Sequence, residues 1–297
     1  HFSVPTDIKG PELNGYLSAL GQPFYIDTLF FGCEFPGTQN IILYGIGQVK
    51  YYIGKKINGE YKCPVTVVGG AKSDLLVDVQ KAFYDYIESI AAPTTLRLQY
   101  NSWYDFMKDI TADNIEKSFY EIEKGLSSNG VAPLDAYVVD DGWVDYKSGF
   151  WSFNKKFPNQ LYDITQLTAN LGTKFGLWLG PRYGRPDLFA KKMEKRGLGA
   201  YNAEAKDICV ADKTYIKNVT DFILKSTQEF DIDYWKFDGF CLSPCKNPNH
   251  SHPVGGEYDM YFVSEMWHCW IEVFKKIREL RKKHGKGLWI NITCYVN

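Results

Sequence analysis

Hydrophobic and polar positions along the chain fall into two regimes. Up to about residue 92 the apolar runs are short, as in Phe24–Phe31, Asn40–Tyr44 and Gln48–Ile53, and lie between the turn signals Pro36-Gly37, Asn58-Gly59 and Gly69-Gly70. That pattern predicts an antiparallel β domain, or part of one. A helical stretch over Ser73–Ile90 leads out of it, and Ala91-Ala92-Pro93 marks the boundary. From there strand-like runs alternate with helical ones. The strands are expected within Thr95–Tyr104, Leu134–Trp143, Lys174–Arg182, Asp231–Phe240 and Gly287–Asn297. The helices are expected over Asp113–Asn129, Leu161–Asn170, Pro186–Lys195, Thr214–Glu229 and Asp259–His284.

Alternation of β and α at this spacing predicts parallel strands joined by right-handed crossovers. A doubly wound nucleotide-binding sheet would want a glycine-rich phosphate loop, and the sequence holds neither Gly-x-Gly-x-x-Gly nor a Walker pattern. The expected fold class is therefore an α/β chain built on a (β/α)8 TIM-type barrel. Only about five βα units fit before Asn297, whereas a closed barrel has eight. The expected organisation is residues 1–92 as part of an antiparallel β-sandwich with a connecting helix, and 93–297 as the N-terminal portion of the barrel. His1 opens the chain with no charged-then-apolar leader, which reads as a processed or excised piece of a longer enzyme.

Bulk properties narrow the partners. The 297 residues are 45% apolar and 23% charged, so a full core is expected and disorder is not. A net charge of -1 gives no electrostatic reason to bind nucleic acid or an anionic membrane, and no run approaches the length of a membrane span. Compartment stays open. Aromatics reach 16%, and an excess of Tyr and Trp suits a site that stacks on sugar rings as well as a core.

In a barrel the loops after the strands open on one face, so chemistry is sought at strand ends. Asp238 ends the fourth run, with Lys236 two residues before it on the same side. A nearby ammonium would hold that carboxylate ionised; a structural ion pair at the rim is the alternative. Asp140-Asp141-Gly142-Trp143 closes the second run, as a pair of acceptors for substrate hydroxyls or as a turn. Trp178 and Trp103 are stacking walls or core. Cys241, Cys245, His250 and His252 resemble a ligand set (C-x3-C-x4-H-x-H), but the spacing fits no standard zinc template, and a Cys241–Cys245 disulfide or two free thiols explain it as well. The run Arg278–Lys286 reads as a solvated helix face.

Val139-Asp140-Asp141-Gly142-Trp143, Lys174-Phe175-Gly176-Leu177-Trp178 and Lys236-Phe237-Asp238 occur in the order seen in clan D glycoside hydrolases. With Asn101-Ser102-Trp103 and Leu29-Phe30-Phe31-Gly32, the chain resembles the family 36 α-galactosidases and α-N-acetylgalactosaminidases. The resemblance implies a nucleophile at Asp238, hydroxyl-binding groups at Asp140, Asp141 and Lys236, and a wall of the −1 subsite at Trp178. It places Cys294 at a site-lining cysteine, Asn297 where a glycine is usual, and Lys206 near a sugar-binding arginine. Gly180-Pro181-Arg182 replaces the common Glu-Pro-Glu. Arg182 and Asn297 together favour a 2-acetamido sugar, because both can hydrogen-bond an acetamido carbonyl.

The implied activity is a retaining exo-glycosidase acting on terminal α-galactosyl or α-N-acetylgalactosaminyl groups, with carboxylates about 5–5.5 Å apart across the bond. Its acid/base aspartate would lie on the strand beyond Asn297. A raffinose-synthase-like transglycosylase and a non-catalytic sugar-binding fragment are the alternatives. No cofactor or metal is expected, since two carboxylates suffice for this chemistry.

Overall fold

The computed structural model describes residues 14–17, 23–43, 46–93, 95–147, 150–182 and 188–293. The chain divides into two compact units, residues 1–95 with 253–268, and residues 96–252 with 269–297.

The first unit holds strands β1 (Asn14–Leu17), β2 (Phe24–Ile26), β3 (Leu29–Cys33), β4 (Thr38–Leu43), β5 (Ile46–Tyr51) and β6 (Thr66–Gly70), followed by helix α1 (Leu76–Ile90). They form two three-stranded antiparallel sheets, β1-β4-β5 and β2-β3-β6. Strand alternation gives β2-β3-β6 two apolar faces. Phe24 and Phe31 cluster with Ile42 of the other sheet, whereas Tyr25 and Phe30 meet Val79 and Phe83 of α1. Val79 and Phe83 are spaced i, i+4, which sets them one above the other on the helix. Burying each such side chain stabilises the unit by about 1.5–3 kcal/mol.

Two expectations fail here. Phe24–Phe31 is a hairpin rather than one strand, turning at Asp27 with φ +49. Gly69-Gly70 is not a turn but the end of β6, paired with Phe30 and Leu29. The ring of Phe30 lies across Gly69, where an added Cβ would come within 2.0 Å of it. Glycine is there for close approach, not for a bend.

The second unit alternates as expected: β7 (Gln99–Asn101), α2 (Trp103–Phe106), α3 (Ala112–Ser128), β8 (Ala136–Val139), α4 (Tyr162–Asn170), β9 (Lys174–Leu179), α5 (Leu188–Lys195), the short hairpin β10 (Tyr201–Asn202) and β11 (Asp207–Ile208), α6 (Lys213–Glu229), β12 (Tyr234–Asp238), α7 (Met260–Lys283, whose first residues belong to the other unit) and β13 (Trp289–Thr293). Five strands form one parallel sheet in the order β7-β8-β9-β12-β13. Every crossover therefore steps to the next position in the same direction. A doubly wound sheet would reverse about its first strand, so this order is that of a half-barrel.

Both faces of the inner strands are covered. Tyr137, Val138 and Val139 of β8 are fully buried, as are Leu177 and Leu179 of β9. That two-sided burial is why these strands read as continuous apolar runs. α3 starts on a capping box in which Thr111 Oγ1 accepts from Asn114 N at 3.1 Å and Asn114 Oδ1 accepts from Thr111 N at 2.8 Å. α6 is capped by Asp212, which accepts from Tyr215 N at 3.1 Å, and it buries Tyr215, Val219 and Ile223 at i, i+4 spacing.

Candidate active site

Register builds the site. Lys236 of β12 pairs with Trp178 of β9 on one side and Asn291 of β13 on the other, so all three point the same way at one level of the sheet. Continuing the β8–β9 register past Val139 and Leu177 brings Asp140 level with Trp178. One step above, Asp238 stands beside Thr293. These residues line a cavity of about 480 Å³ at the C-terminal ends of the strands, together with Asn101, Trp103, Lys108 and Arg182. A cleft of this volume takes a small ligand.

The turn after β8 is fixed by steric necessity. Gly142 has φ +131, and an added Cβ would sit 2.6 Å from Ile110 and 2.7 Å from the Lys108 carbonyl. Trp143 is fully buried against Phe153 and Phe222, with centroids 5.0 and 6.0 Å away. Its Nε1 donates to Trp178 O at 3.2 Å, locking the turn to β9. Asp140 N donates to Ser102 Oγ at 2.9 Å, and Asp141 N donates to Asp140 Oδ1 at 2.8 Å. The Asp-Asp-Gly-Trp sequence is thus both a turn and a pair of aimed carboxylates.

Charge pairing departs from the expectation. Lys236 Nζ reaches Asp140 Oδ2 at 2.7 Å, with side-chain exposures of 14% and 2%. Its ion pair is with Asp140, not with Asp238 two residues along. Asp141 is held by Lys108 Nζ at 3.2 Å and by the Tyr146 hydroxyl, which donates at 2.7 Å. Arg182 NH1 faces Asp207 Oδ2 at 3.5 Å, and burial raises the Asp207 carboxyl to about 7 against the smaller pull of the Ile208 N–H and of Arg182. Asp238 takes a hydrogen bond from Trp178 Nε1 at 3.3 Å. Among the described residues no cation lies within ion-pair distance of it. A carboxylate facing a cavity with one neutral donor keeps lone pairs for a ligand.

Seven of the expected site residues therefore meet around one cavity: Trp103, Asp140, Asp141, Trp178, Arg182, Lys236 and Asp238. Lys206 does not line it; it is exposed on the turn between β10 and β11, with φ +52. Cys294 and Asn297 lie outside the described residues. The ligand-like loop is also regrouped, because Cys245, His250 and His252 converge on Cys209 and not on Cys241. Lys108 and Tyr146 were not anticipated. They belong to loops with no motif, and only the question of what offsets a second buried carboxylate points to them.

No protein-family model and no curated protein matches the sequence. Solved structures do match the fold. A family 36 α-galactosidase variant, AgaA from Geobacillus stearothermophilus in complex with stachyose, superposes with a TM-score of 0.61 at 16% identity, over 95% of this chain and 41% of that one. The α-galactosidase TtGalA from Thermus thermophilus, in complex with p-nitrophenyl α-D-galactopyranoside, gives 0.54 at 16% identity over 85% and 47%. A family 97 glycoside hydrolase from a Pseudoalteromonas species, in complex with acarbose, gives 0.57 at 12% identity over 97% and 44%. The chain spans less than half the length of each. Its fold is that of the family 36 α-galactosidases and of related glycosidases.

Proposed function

We propose that the chain is the nucleophile-bearing part of a glycoside hydrolase that removes a terminal α-linked galactose or N-acetylgalactosamine with retention. The observation that carries this reading is the pairing pattern in the cavity. Asp140 and Asp141 are each matched by a lysine, while Asp238 faces the same space with none paired to it among the described residues.

In the proposed reaction an Asp238 oxygen attacks the anomeric carbon, forming a C–O bond as the glycosidic C–O bond breaks. The leaving oxygen takes a proton from an acid that we place beyond Asn297. Water, deprotonated by that same group, then displaces the sugar from Asp238. Trp178 walls the ring and holds the carboxylate oriented through its N–H, which donates to Asp238 Oδ2 at 3.3 Å. Asp140, Asp141 and Lys236 bind hydroxyls. Because each carboxylate is already paired with an ammonium, a sugar hydroxyl meets both a donor and an acceptor at one place, which suits polyol recognition.

We further propose that residues 1–92 belong to an N-terminal β-sandwich and 93–297 to the catalytic barrel. For specificity we favour the acetamido sugar. Arg182 lines the cavity and its long contact to Asp207 leaves donors of the guanidinium available for a carbonyl. A site that hydrogen-bonds an acetamido group discriminates against the analogue lacking it. The test is competition between p-nitrophenyl α-N-acetylgalactosaminide and α-galactoside on the full-length protein. Turnover of either supports the hydrolase, a larger kcat/KM on the acetamido sugar supports the finer reading, and turnover of neither overturns both.

A further inference from the structure

Cys209, Cys245, His250 and His252 bring their sulfur and nitrogen ligand atoms within 4.8 Å of one another. Both sulfurs are free thiols in the core, His252 is buried and His250 half-buried. Cys245 Sγ lies 3.2 Å from His250 Nδ1, and the two imidazoles stand edge to face with centroids 5.5 Å apart. We propose that these four residues form a structural tetrahedral zinc site.

Ligand chemistry carries the assignment. Two thiolates and two neutral imidazoles are a soft S2N2 set, which selects zinc over the hard cations that want oxygen. Zinc–sulfur and zinc–nitrogen bonds of about 2.3 and 2.0 Å place tetrahedral ligands within 4 Å of one another, so the cluster needs only a small contraction. A zinc ion with two thiolates is electrically neutral, which suits a site shielded from water. A Cys209–Cys245 disulfide would satisfy the sulfurs but leaves the convergence of two imidazoles on them unexplained.

Supporting contacts hold the ligands in place, as they do around other metal centres. The Asn247 side-chain amide lies 2.9 Å from His250 Nε2 and orients the ring so that Nδ1 faces the sulfur. Ser251, between the two histidines, donates to Asp212 Oδ2 at 2.9 Å and accepts from Lys213 N at 2.8 Å, which pins the His-x-His segment to the start of α6. Asp212 N in turn donates to Cys209 O at 3.1 Å.

The ion would join the loop that follows β12 and Asp238 to the end of the β10–β11 hairpin, which carries Asp207, the partner of Arg182. None of its four ligands lines the cavity, so the site is a staple and not part of the bond-breaking chemistry. Spacing in the sequence favours Cys241 as the second thiolate; the fold replaces it with Cys209, more than thirty residues upstream.

The experiment is elemental analysis of the purified full-length protein after zinc replenishment and dialysis. Wild type and Cys241→Ser should retain one zinc per chain, while Cys209→Ser and His252→Ala should fall to roughly a tenth of that or less. Because those variants can fail to fold, a second measurement uses wild type alone. A mercurial thiol reagent should release the zinc to a chromophoric chelator, and cobalt(II) in its place should give the intense visible bands of tetrahedral thiolate coordination. Wild type without stoichiometric zinc, a Cys209–Cys245 disulfide by mass spectrometry, or loss of the metal in Cys241→Ser but not in Cys209→Ser overturns the assignment.

Discussion

Charged residues gather at both ends of the five-stranded parallel sheet, and the two gatherings are built in opposite senses. At the N-terminal ends of β9 and β12, Arg281 NH1 meets Asp231 at 2.5 Å and its other nitrogens reach Asp233 and the Gly287 carbonyl, the latter at 2.9 Å. Lys286 adds a contact to Asp231 at 2.6 Å and Lys174 one to Asp233 at 3.9 Å. Three cations thus serve two carboxylates. At the C-terminal ends, Asp140, Asp141 and Asp238 face the cavity and, among the described residues, only Lys236 and Lys108 are paired to them, since Arg182 is turned to Asp207. The first end has compensated its charges fully and holds the sheet to its last helix. The second leaves one carboxylate without a paired cation among the described residues, which fits the rule that barrels use one face for stability and the other for reactions.

Replacing residues at each end should separate the two roles. The largest effect is expected for Asp238→Ala, which should lower kcat on an activated α-glycoside by a factor on the order of 10⁴ or more while leaving thermal unfolding in place. Equal loss of stability and activity would contradict the division. Arg281→Leu is the counterpart. Its side chain is 4% exposed, and removing it leaves the buried Asp233 with the long 3.9 Å contact to Lys174, so a loss of about 3–5 kcal/mol in denaturant unfolding is expected. KM of the molecules that remain folded should not change.

Lys236→Met should show both effects at once, because its ammonium stabilises Asp140 and faces the cavity. A stability loss of about 2–4 kcal/mol is expected, together with a rise in KM. Stability unchanged at raised KM would mean that the Lys236–Asp140 pair is a binding device only.

This pair also marks where sequence reasoning runs out. Alternation along β12 puts Lys236 and Asp238 on one side, and that much holds. Which carboxylate the lysine meets depends on register across β9 and β8, a distance of 96 residues along the chain that no local pattern encodes. The apolar runs of β8, β9 and β12 were legible because burial on both faces leaves a local signature. The β10–β11 hairpin was not, since two strands of two residues carry no period. Cys209 was missed for the same reason as the Lys236 pairing: proximity made by the fold is invisible to spacing. Lys206, placed by a weak alignment alone, proved to be on an exposed turn.

The smallest expected effect is a pH dependence at the stabilising end. Burial raises the Asp231 carboxyl, but hydrogen bonds and charge from Lys286 and Arg281 overcome it and leave the pKa below the ordinary aspartate value. A depressed folded-state pKa contributes stability above the unfolded value, and that contribution is lost as pH falls through the folded one. Below about pH 4 the wild type should therefore lose stability that Asp231→Asn never had. Parallel unfolding curves for the two proteins through that window would remove Asp231 from the account.

The most direct test of the division between the two ends is covalent trapping of the full-length protein with an activated fluoro-glycoside, followed by proteolysis and peptide mapping. The label is predicted on the peptide containing Asp238, with none in Asp238→Ala. A labelled peptide carrying Asp140 or Asp141 instead, or undiminished labelling of the Asp238→Ala protein, would contradict it.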